Sequence, residues 1–515
     1  MRLSFHLSRA EQSEIAIEML PKRLSYVVSA AILLAGALDI ATPARSTPAA
    51  RNYYVAPYGC PTGDGSMKRP WDLRSTLEGK QRVMAGDRIW LRGGTYGDGR
   101  TKFTSTVHGT ADKPIIVRGM HGERATINGG LDIYGAYTWY WDFEVTNLIG
   151  DRSETGNAPE GIDTYEGSEG TKFIDLVVHD TSQGFGFWQP AINGEIYGCL
   201  IYYNGYQGPD RGHGHGIYTQ NLIGTKEILD NIIFAQFGLG IQAYGSGKAH
   251  VSGYRVAGNV LFNNGILSIG GHRVDNILFA GGDRLSRIAV NNNFTYASPG
   301  ENSGYSRLGW VFGTSENEDV SATNNYWMGG ESGLEVWKWR SVTFTGNSVY
   351  SPAGLVMLLD AADPRALKQY RWDANHYYGS GSFRLSDGGN RDFNSWKRNT
   401  GLDTNSTFAS GRPQGVQMFV RRNKYEAGRA NVVVYNWDRK ETVPVDLRGI
   451  LASGQRFEIR DAQNFYGRPV VSGIYTEKPV ELPMTNDAVA LPIGRVPTRP
   501  VHTSPEFAVF VVLPQ

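Results

Sequence analysis

The sequence predicts an all-β fold: a right-handed parallel β-helix (solenoid) followed by a small antiparallel β-sandwich. A strand unit ending in Asn recurs at uneven intervals, the composition is rich in glycine and aromatics but poor in charge, and the strand pattern changes character near residue 411. The 515 residues are 40% hydrophobic and 20% charged, a globular balance, with 64 Gly, 27 Tyr, 21 Phe and 12 Trp. Such a chain is long enough for more than one core.

The repeat reads ILDNIIF, RVAGNVLF, AVNNNFTY, SATNNYWM, TFTGNSVY and RWDANHYY, placing Asn at 231, 259, 293, 325, 347 and 375. The spacings of 28, 34, 32, 22 and 28 residues are too irregular for propeller blades but suit solenoid coils with loops of varied length. The phase continues upstream through Cys199, Leu176 and Phe143, so the helix begins by Phe143 or earlier. A turn Asn tolerates left-handed backbone angles, and stacked amides of successive coils can bond one another, which gives these residues a structural role.

Downstream of most of these turns, Gly precedes a large apolar residue, as in EGIDTY, FGFWQP, HGIYTQ and LGIQAY. With the apolar residue inward, alternation sends its neighbours out. One outward row is then Asp163, Trp188, Tyr218 and Gln242, continuing to Val311, Glu335 and Val356, and its companion is Tyr165, Pro190, Gln220 and Tyr244. Coils stack at about 4.8 Å, so such rows form a platform for a glycan. Tyr165, Trp188 and Tyr244 suit stacking on sugar faces, and Gln220 and Gln242 suit hydroxyls. Lys172, Glu195, Glu227 and Arg255 share one repeat phase and read as a surface charge ladder, while His179 and Asp180 read as local to a turn.

Three regions follow. Residues 1–50 form a leader in which Lys22 and Arg23 precede the apolar run Val27 to Leu38 and a small-residue stretch, a secretory signal, with Met19 as the expected start. The run is shorter than the roughly 20 residues of a spanning helix, so the mature protein is expected to be secreted or periplasmic without stable membrane insertion. Residues 51–411 form the β-helix with its N-terminal cap. Residues 412–515, with NVVVYNW, TVPVDLRG, RFEIRD and FAVFVVLP, form the C-terminal β-sandwich, expected to cap the open end of the helix, with substrate binding as the alternative. Cys60 and Cys199 fall in different places, near the cap and inside a coil, and no bridge is expected.

YYVAPYGCPTGDGS, GDRIWLRGGTY, KPIIVRG and TINGG resemble the N-terminal cap and first coils of pectate-lyase-like right-handed parallel β-helix proteins. The resemblance spans residues 52 to about 400. It implies the fold and a polysaccharide as partner, without specifying a reaction.

A net charge of +1 gives no footprint for nucleic acid. The densest polar cluster is QGPDRGHGHGIYTQN, on a long connection at the platform's edge. Two chemistries fit. A glycoside hydrolase needs two carboxyls across the groove, and Asp163, Glu160 and Asp210 are available. A polysaccharide lyase needs a base and acid, from His213, His215 and Tyr218, with Arg211 or Gln220 on the uronate carboxylate. His215 also reads as a satisfied histidine at a strand edge. A non-catalytic glycan-binding protein is the third reading. Few basic residues line the platform, which favours neutral glycans and hence hydrolysis. No cofactor is expected: the HxH pair supplies only two metal ligands, and no loop has calcium spacing.

Overall fold

The computed structural model describes residues 50–515, apart from 153–157, 248, 271–272, 301–302, 312–315, 353 and 362–363. The leader therefore lies outside the described residues. No described helix is long and apolar enough to cross a membrane.

Three sheets of twelve strands run the length of the molecule. The first begins at Asn52–Val55 and ends at Arg371–Asp373, the second runs from Phe103–Ser105 to Asn390–Arg391, and the third from Gly94–Tyr96 to Thr407–Ser410. All pairs are parallel except at the end of the second sheet, where Asn390–Arg391 pairs antiparallel with Ser382–Leu385. This is the parallel β-helix. One inward-facing core, from Val55 and Leu91 through Phe173, Ile201 and Ile241 to Trp372 and Phe383, fills the space between the sheets. Helix Leu73–Leu77 closes one end, and helix Phe393–Thr400, through Trp396, closes the other.

The Asn repeat is a continuous buried ladder. Each amide donates to the side-chain oxygen of the next, 231 to 259 to 293 to 325 to 347 to 375, at 2.9 to 3.2 Å. The backbone N–H of each also donates to that oxygen. The last amide donates to Asp403, which also receives Trp396 and Tyr377. The left-handed residue is not the ladder Asn but the one before it: Asp230 (φ 54°), Gly258 (72°), Asn292 (55°), Asn324 (54°), Gly346 (69°) and Ala374 (57°). Asp, Asn and Gly dominate there because they accept positive φ at least cost. A second, shorter amide run, Asn204, Gln236, Asn264 and Asn276, went unread in the sequence.

The expected charge ladder has the expected register, Lys172 beside Glu195 beside Glu227 beside Arg255. It is not wholly at the surface, because Tyr425 and Lys424, from the C-terminal region, close over Glu195. Burial opposes it, but these partners and Lys172 hold the Glu195 carboxyl below its usual range.

From Val416 onward the strands are antiparallel. Five form one sheet, Val416–Arg422, Ala430–Asn436, Phe507–Pro514, Arg456–Asp461 and Val471–Ile474, and Thr442–Val445 pairs with Val480–Pro483 in a second. Alternation divides the strand at 507–514: Ala508, Phe510 and Val512 face the two-stranded sheet, while Phe507, Val509 and Val511 face the β-helix. The latter pack on Tyr202, Phe234, Phe262 and Tyr296, on the outer surface of the third sheet. The region thus lies along a flank instead of capping the open end, because that flank carries a stacked aromatic row that needs cover. His179 and Asp180 sit at its edge in a buried network with Glu144 and Arg152.

Replacing Asn293 by Ala strands the amides of Asn259 and the carbonyl of Val256. The expected loss is about 3 kcal/mol, measured by urea unfolding, since each buried polar group left unpaired costs about 1–3 kcal/mol.

Candidate active site on the second sheet

The third sheet is covered by the C-terminal region, and part of the first by the segment around Tyr425, whereas the second presents rows of polar and aromatic side chains. Its register defines them. Thr104, Asp132, Asp163, Gly186, Tyr218, Gln242, Leu278, Arg307, Glu335 and Leu358 occupy successive coils. Trp188 does not belong to that row as expected: Gly186 holds its place, and Phe185 and Phe187 both point inward. Trp188 stands one position on, in the companion row with Tyr165, Gln220 and Tyr244, where Pro190 was expected. A Cβ on Gly186 would lie 1.8 Å from Asp163 Oδ1. Its absence lets the Trp188 indole lean across and donate to Asp163 at 2.9 Å. Beyond Gln242 the expected rows slip. Leu278 follows Gln242, Arg307 precedes Glu335, and Val311 and Val356 are buried.

At the N-terminal part of this face lies an ion cluster. Lys102 Nζ is 2.5 Å from Asp163, 2.6 Å from Asp132 and 3.8 Å from Glu160. Burial works against the ammonium, but Asp163, Asp132 and Glu160 outweigh it and raise its pKa, so it stays charged and is no base. Asp163 is 1% exposed and receives Lys102 and Trp188, and it shares a hydrogen bond with Glu160. Buried and fully engaged, it cannot meet substrate, which corrects its expected catalytic role. Glu160 is the member that reaches solvent, with a side chain 41% exposed. Loss of hydration and the neighbouring Asp163 carboxylate, with which it shares a hydrogen bond, push its carboxyl up to about 8, so the Glu160–Asp163 pair shares a proton near neutrality.

The second group is a hairpin, Tyr206–Gln207 against Gly212–His213. Reciprocal amide bonds between Gln207 and Ile269, at 3.0 and 2.9 Å, brace it. His213 stacks on Tyr206 with centroids 5.3 Å apart and pairs through Nε2 with Asp210 at 2.7 Å. Arg211 is 3.5 Å from Asp210. Burial opposes it, but His213 and then Arg211 hold the Asp210 carboxyl below its usual range, so it is ionised. The Tyr206 phenol is raised mainly by burial, and it lies within electrostatic reach of Arg211, Asp210 and Glu160.

His215 cannot serve as a base. Its Nδ1 accepts the Leu239 N–H at 3.0 Å, so the ring carries its proton on Nε2 and has no free lone pair. Burial, with Arg211 and His213 nearby, lowers its pKa to about 3 and keeps it neutral. Tyr218 lies edge-on to Trp188 at 5.1 Å and to His215 at 5.7 Å. Trp188 is fixed from behind: Thr164 Oγ1 accepts its backbone N–H, and the buried Lys226 Nζ donates to its carbonyl at 2.5 Å. Tyr165 stacks on Tyr134 at 4.9 Å. Gln220, Gln242 and Tyr244 line the same face, part-exposed.

Lys102, Asp132, Tyr134 and Tyr206 were missed in the sequence. The signal for Asp132 and Tyr134 was present, since GLDIY at 130–134 repeats GIDTY at 161–165 one coil earlier. Lys102 precedes the next coil back, beyond where the repeat was followed.

A scan of protein-family models gave no match, and neither did a search of curated proteins. Among solved structures the chain is similar to pectate lyase Pel9A, with 16% identity, 57% of this chain and 79% of that one covered, and a TM-score of 0.40. It is also similar to a GH136 lacto-N-biosidase from Eubacterium ramulus, with 13% identity, 70% and 67% covered, TM-score 0.37. A third is an alginate lyase from Paenibacillus sp. str. FPU-7, with 16% identity, 66% and 97% covered, TM-score 0.34. The sheet topology itself makes the chain a parallel β-helix of three sheets. The site rests on its own geometry.

Lys102→Met removes the counter-charge of Asp163 and Asp132. A loss of about 3 kcal/mol is expected in urea unfolding at neutral pH. Adding Asp163→Asn to that variant is expected to restore part of it.

Proposed function

We propose that the protein is a glycoside hydrolase acting on a neutral or weakly charged glycan laid across the second sheet. The observation that carries this reading is the Glu160 carboxyl, part-exposed on the sheet and hydrogen-bonded to the buried Asp163, a contact that raises its pKa. An acid protonated near neutrality is what departure of a sugar alcohol requires.

In this reading Tyr165, Trp188 and Tyr244 hold sugar faces, and Gln220 and Gln242 bond hydroxyls. Glu160 gives its proton to the glycosidic oxygen as that oxygen leaves the anomeric carbon. A water attacks the same carbon, and its proton passes to Asp210, whose orientation His213 fixes. Protons then exchange with solvent to restore both groups. Asp163 is too close to Glu160 for the second role, because working carboxyls stand about 5–9.5 Å apart.

The lyase alternative needs a cation for the uronate carboxylate. Lys102 is held by acids with excess negative charge, and Arg211, Arg273 and Arg307 each pair with a carboxylate. This disfavours a uronate at the site.

The test is a panel of neutral and uronate polysaccharides incubated with purified protein, reading reducing ends and the absorbance of unsaturated uronates together. Reducing ends alone support hydrolysis, an absorbance rise replaces it with the lyase, and binding without products replaces both with a glycan-binding role. On a cleaved substrate, Glu160→Gln is expected to lower kcat by about a hundredfold to ten-thousandfold with the fold intact. The wild-type rate is expected to fall as pH rises through about 8, because a raised pKa leaves the working protonated form below that value and removes it above.

A further inference from the structure

The proposed acid and base stand on different segments, Glu160 just before strand Ile162–Thr164 and Asp210 on the hairpin of Tyr206–Gln207 against Gly212–His213. One short stretch, Asp180 to Gln183, bonds both. Ser182 N donates to Pro159 O at 3.2 Å and Gly161 N to Gln183 O at 2.7 Å, so the backbone on either side of Glu160 is held by it. Gly205 N donates to Thr181 O at 2.7 Å, and Asn204 Oδ1 accepts both the backbone N–H and the hydroxyl of Thr181, which ties in the root of the hairpin. A Cβ on Gly205 would lie 2.2 Å from the His213 carbonyl oxygen, so that root packs directly against the returning strand.

Arg152 locks the first residue of that bridge. Its guanidinium pairs with Asp180, donates to Gly205 O at 2.7 Å and, through Nε, donates to Ile493 O at 2.9 Å. Ile493 N donates in return to Asp180 Oδ1 at 2.8 Å. The Arg152 and Asp180 side chains are 5% and 2% exposed, so water does not compete for these bonds. Only a planar fork of donors reaches a carboxylate and two carbonyls at once. The rest of the Ile493 segment is fastened to the same neighbourhood. Tyr203 donates to Ala490 O at 2.8 Å, and Thr498 donates to Ile266 O, in the loop whose Ile269 braces Gln207 of the hairpin.

We infer that Arg152 is a positioning residue which, with the C-terminal segment at Ile493, sets the separation of Glu160 and Asp210. The C-terminal region then serves the site as well as covering the third sheet. This role rests on Glu160 and Asp210 being the acid and base proposed above. The distance between two working carboxyls decides whether a water fits between them and the anomeric carbon, and a displacement of about 1 Å can cost about a hundredfold in rate.

Hydrogen-exchange mass spectrometry on the whole protein, with steady-state kinetics on whichever polysaccharide of the panel is cleaved, tests it. In Arg152→Gln, peptides covering 158–164 and 203–214 are expected to exchange at least about tenfold faster, while those covering the ladder at 289–297 keep the wild-type rate. In the same variant kcat is expected to fall by about a hundredfold with KM changed by less than about twofold, because Tyr165, Trp188 and Tyr244 are untouched. Arg152→Lys, which keeps a charge for Asp180 and loses the fork, is expected to show the same pattern to a smaller extent. Arg421→Gln breaks the Asp230 pair, a contact of the C-terminal region with the ladder corner at the opposite edge of the third sheet, and is expected to change kcat by less than about twofold. Three outcomes overturn the inference: unchanged exchange at 203–214, faster exchange that extends to the ladder in both Arg152 variants, or a kcat in Arg152→Gln no lower than in Arg421→Gln. Where no polysaccharide is cleaved, the hydrolase reading falls by itself, and the exchange pattern still decides whether Arg152 holds the two segments together.

Discussion

A parallel coil satisfies its backbone hydrogen bonds only through the coils on either side of it, so each coil's register is fixed by its neighbours. In this protein the constraint is enforced at one corner by left-handed residues at 230, 258, 292, 324, 346 and 374 and, directly after each, by a buried Asn whose amide bonds the next coil. A one-residue slip would unpair the ladder and turn every inward side chain out. Register at the corner therefore sets which side chains line the outer faces, and their spacing across coils follows from strand stacking alone.

Those faces have different fates. The aromatic row of the third sheet is buried by the C-terminal region, and the acids of the first are partly covered by the segment around Tyr425. The second keeps its polar rows. There the same regular stacking brings Asp132 and Asp163 side by side, a like-charge contact tolerated only because Lys102 sits against both. The cation is consumed in holding that pair, and Glu160, next in line beside Asp163, has its carboxyl raised. Asp163 thus acts by holding Lys102, Trp188 and Glu160 in place, with the chemistry falling to its exposed neighbour.

The fold was legible because repetition advertises itself: the Asn phase, the Lys172 to Arg255 register and the change of strand character near 411 can all be found by self-similarity. The site was legible only in part. Tyr165, Tyr218, Gln220, Gln242 and Tyr244 follow from alternation, but Trp188 was placed in the wrong row because a glycine at an outward position cannot be told from one at a turn. Leu278 and Arg307 were missed since the loop before Asp275 hides the phase. The burial of Glu195 was invisible because its cover comes from residues 230 positions away. The engagement of Asp163 and of His215 Nδ1 depends on partners that one-dimensional spacing does not reveal.

Site-resolved titration of Glu160, by carbon-detected NMR of its labelled carboxyl in the folded protein, tests the central claim most directly. The account requires the carboxyl to stay protonated through neutrality and to titrate near 8. An ordinary carboxylate titration, with the group already ionised at pH 6, would contradict it and leave the second sheet without its proton donor.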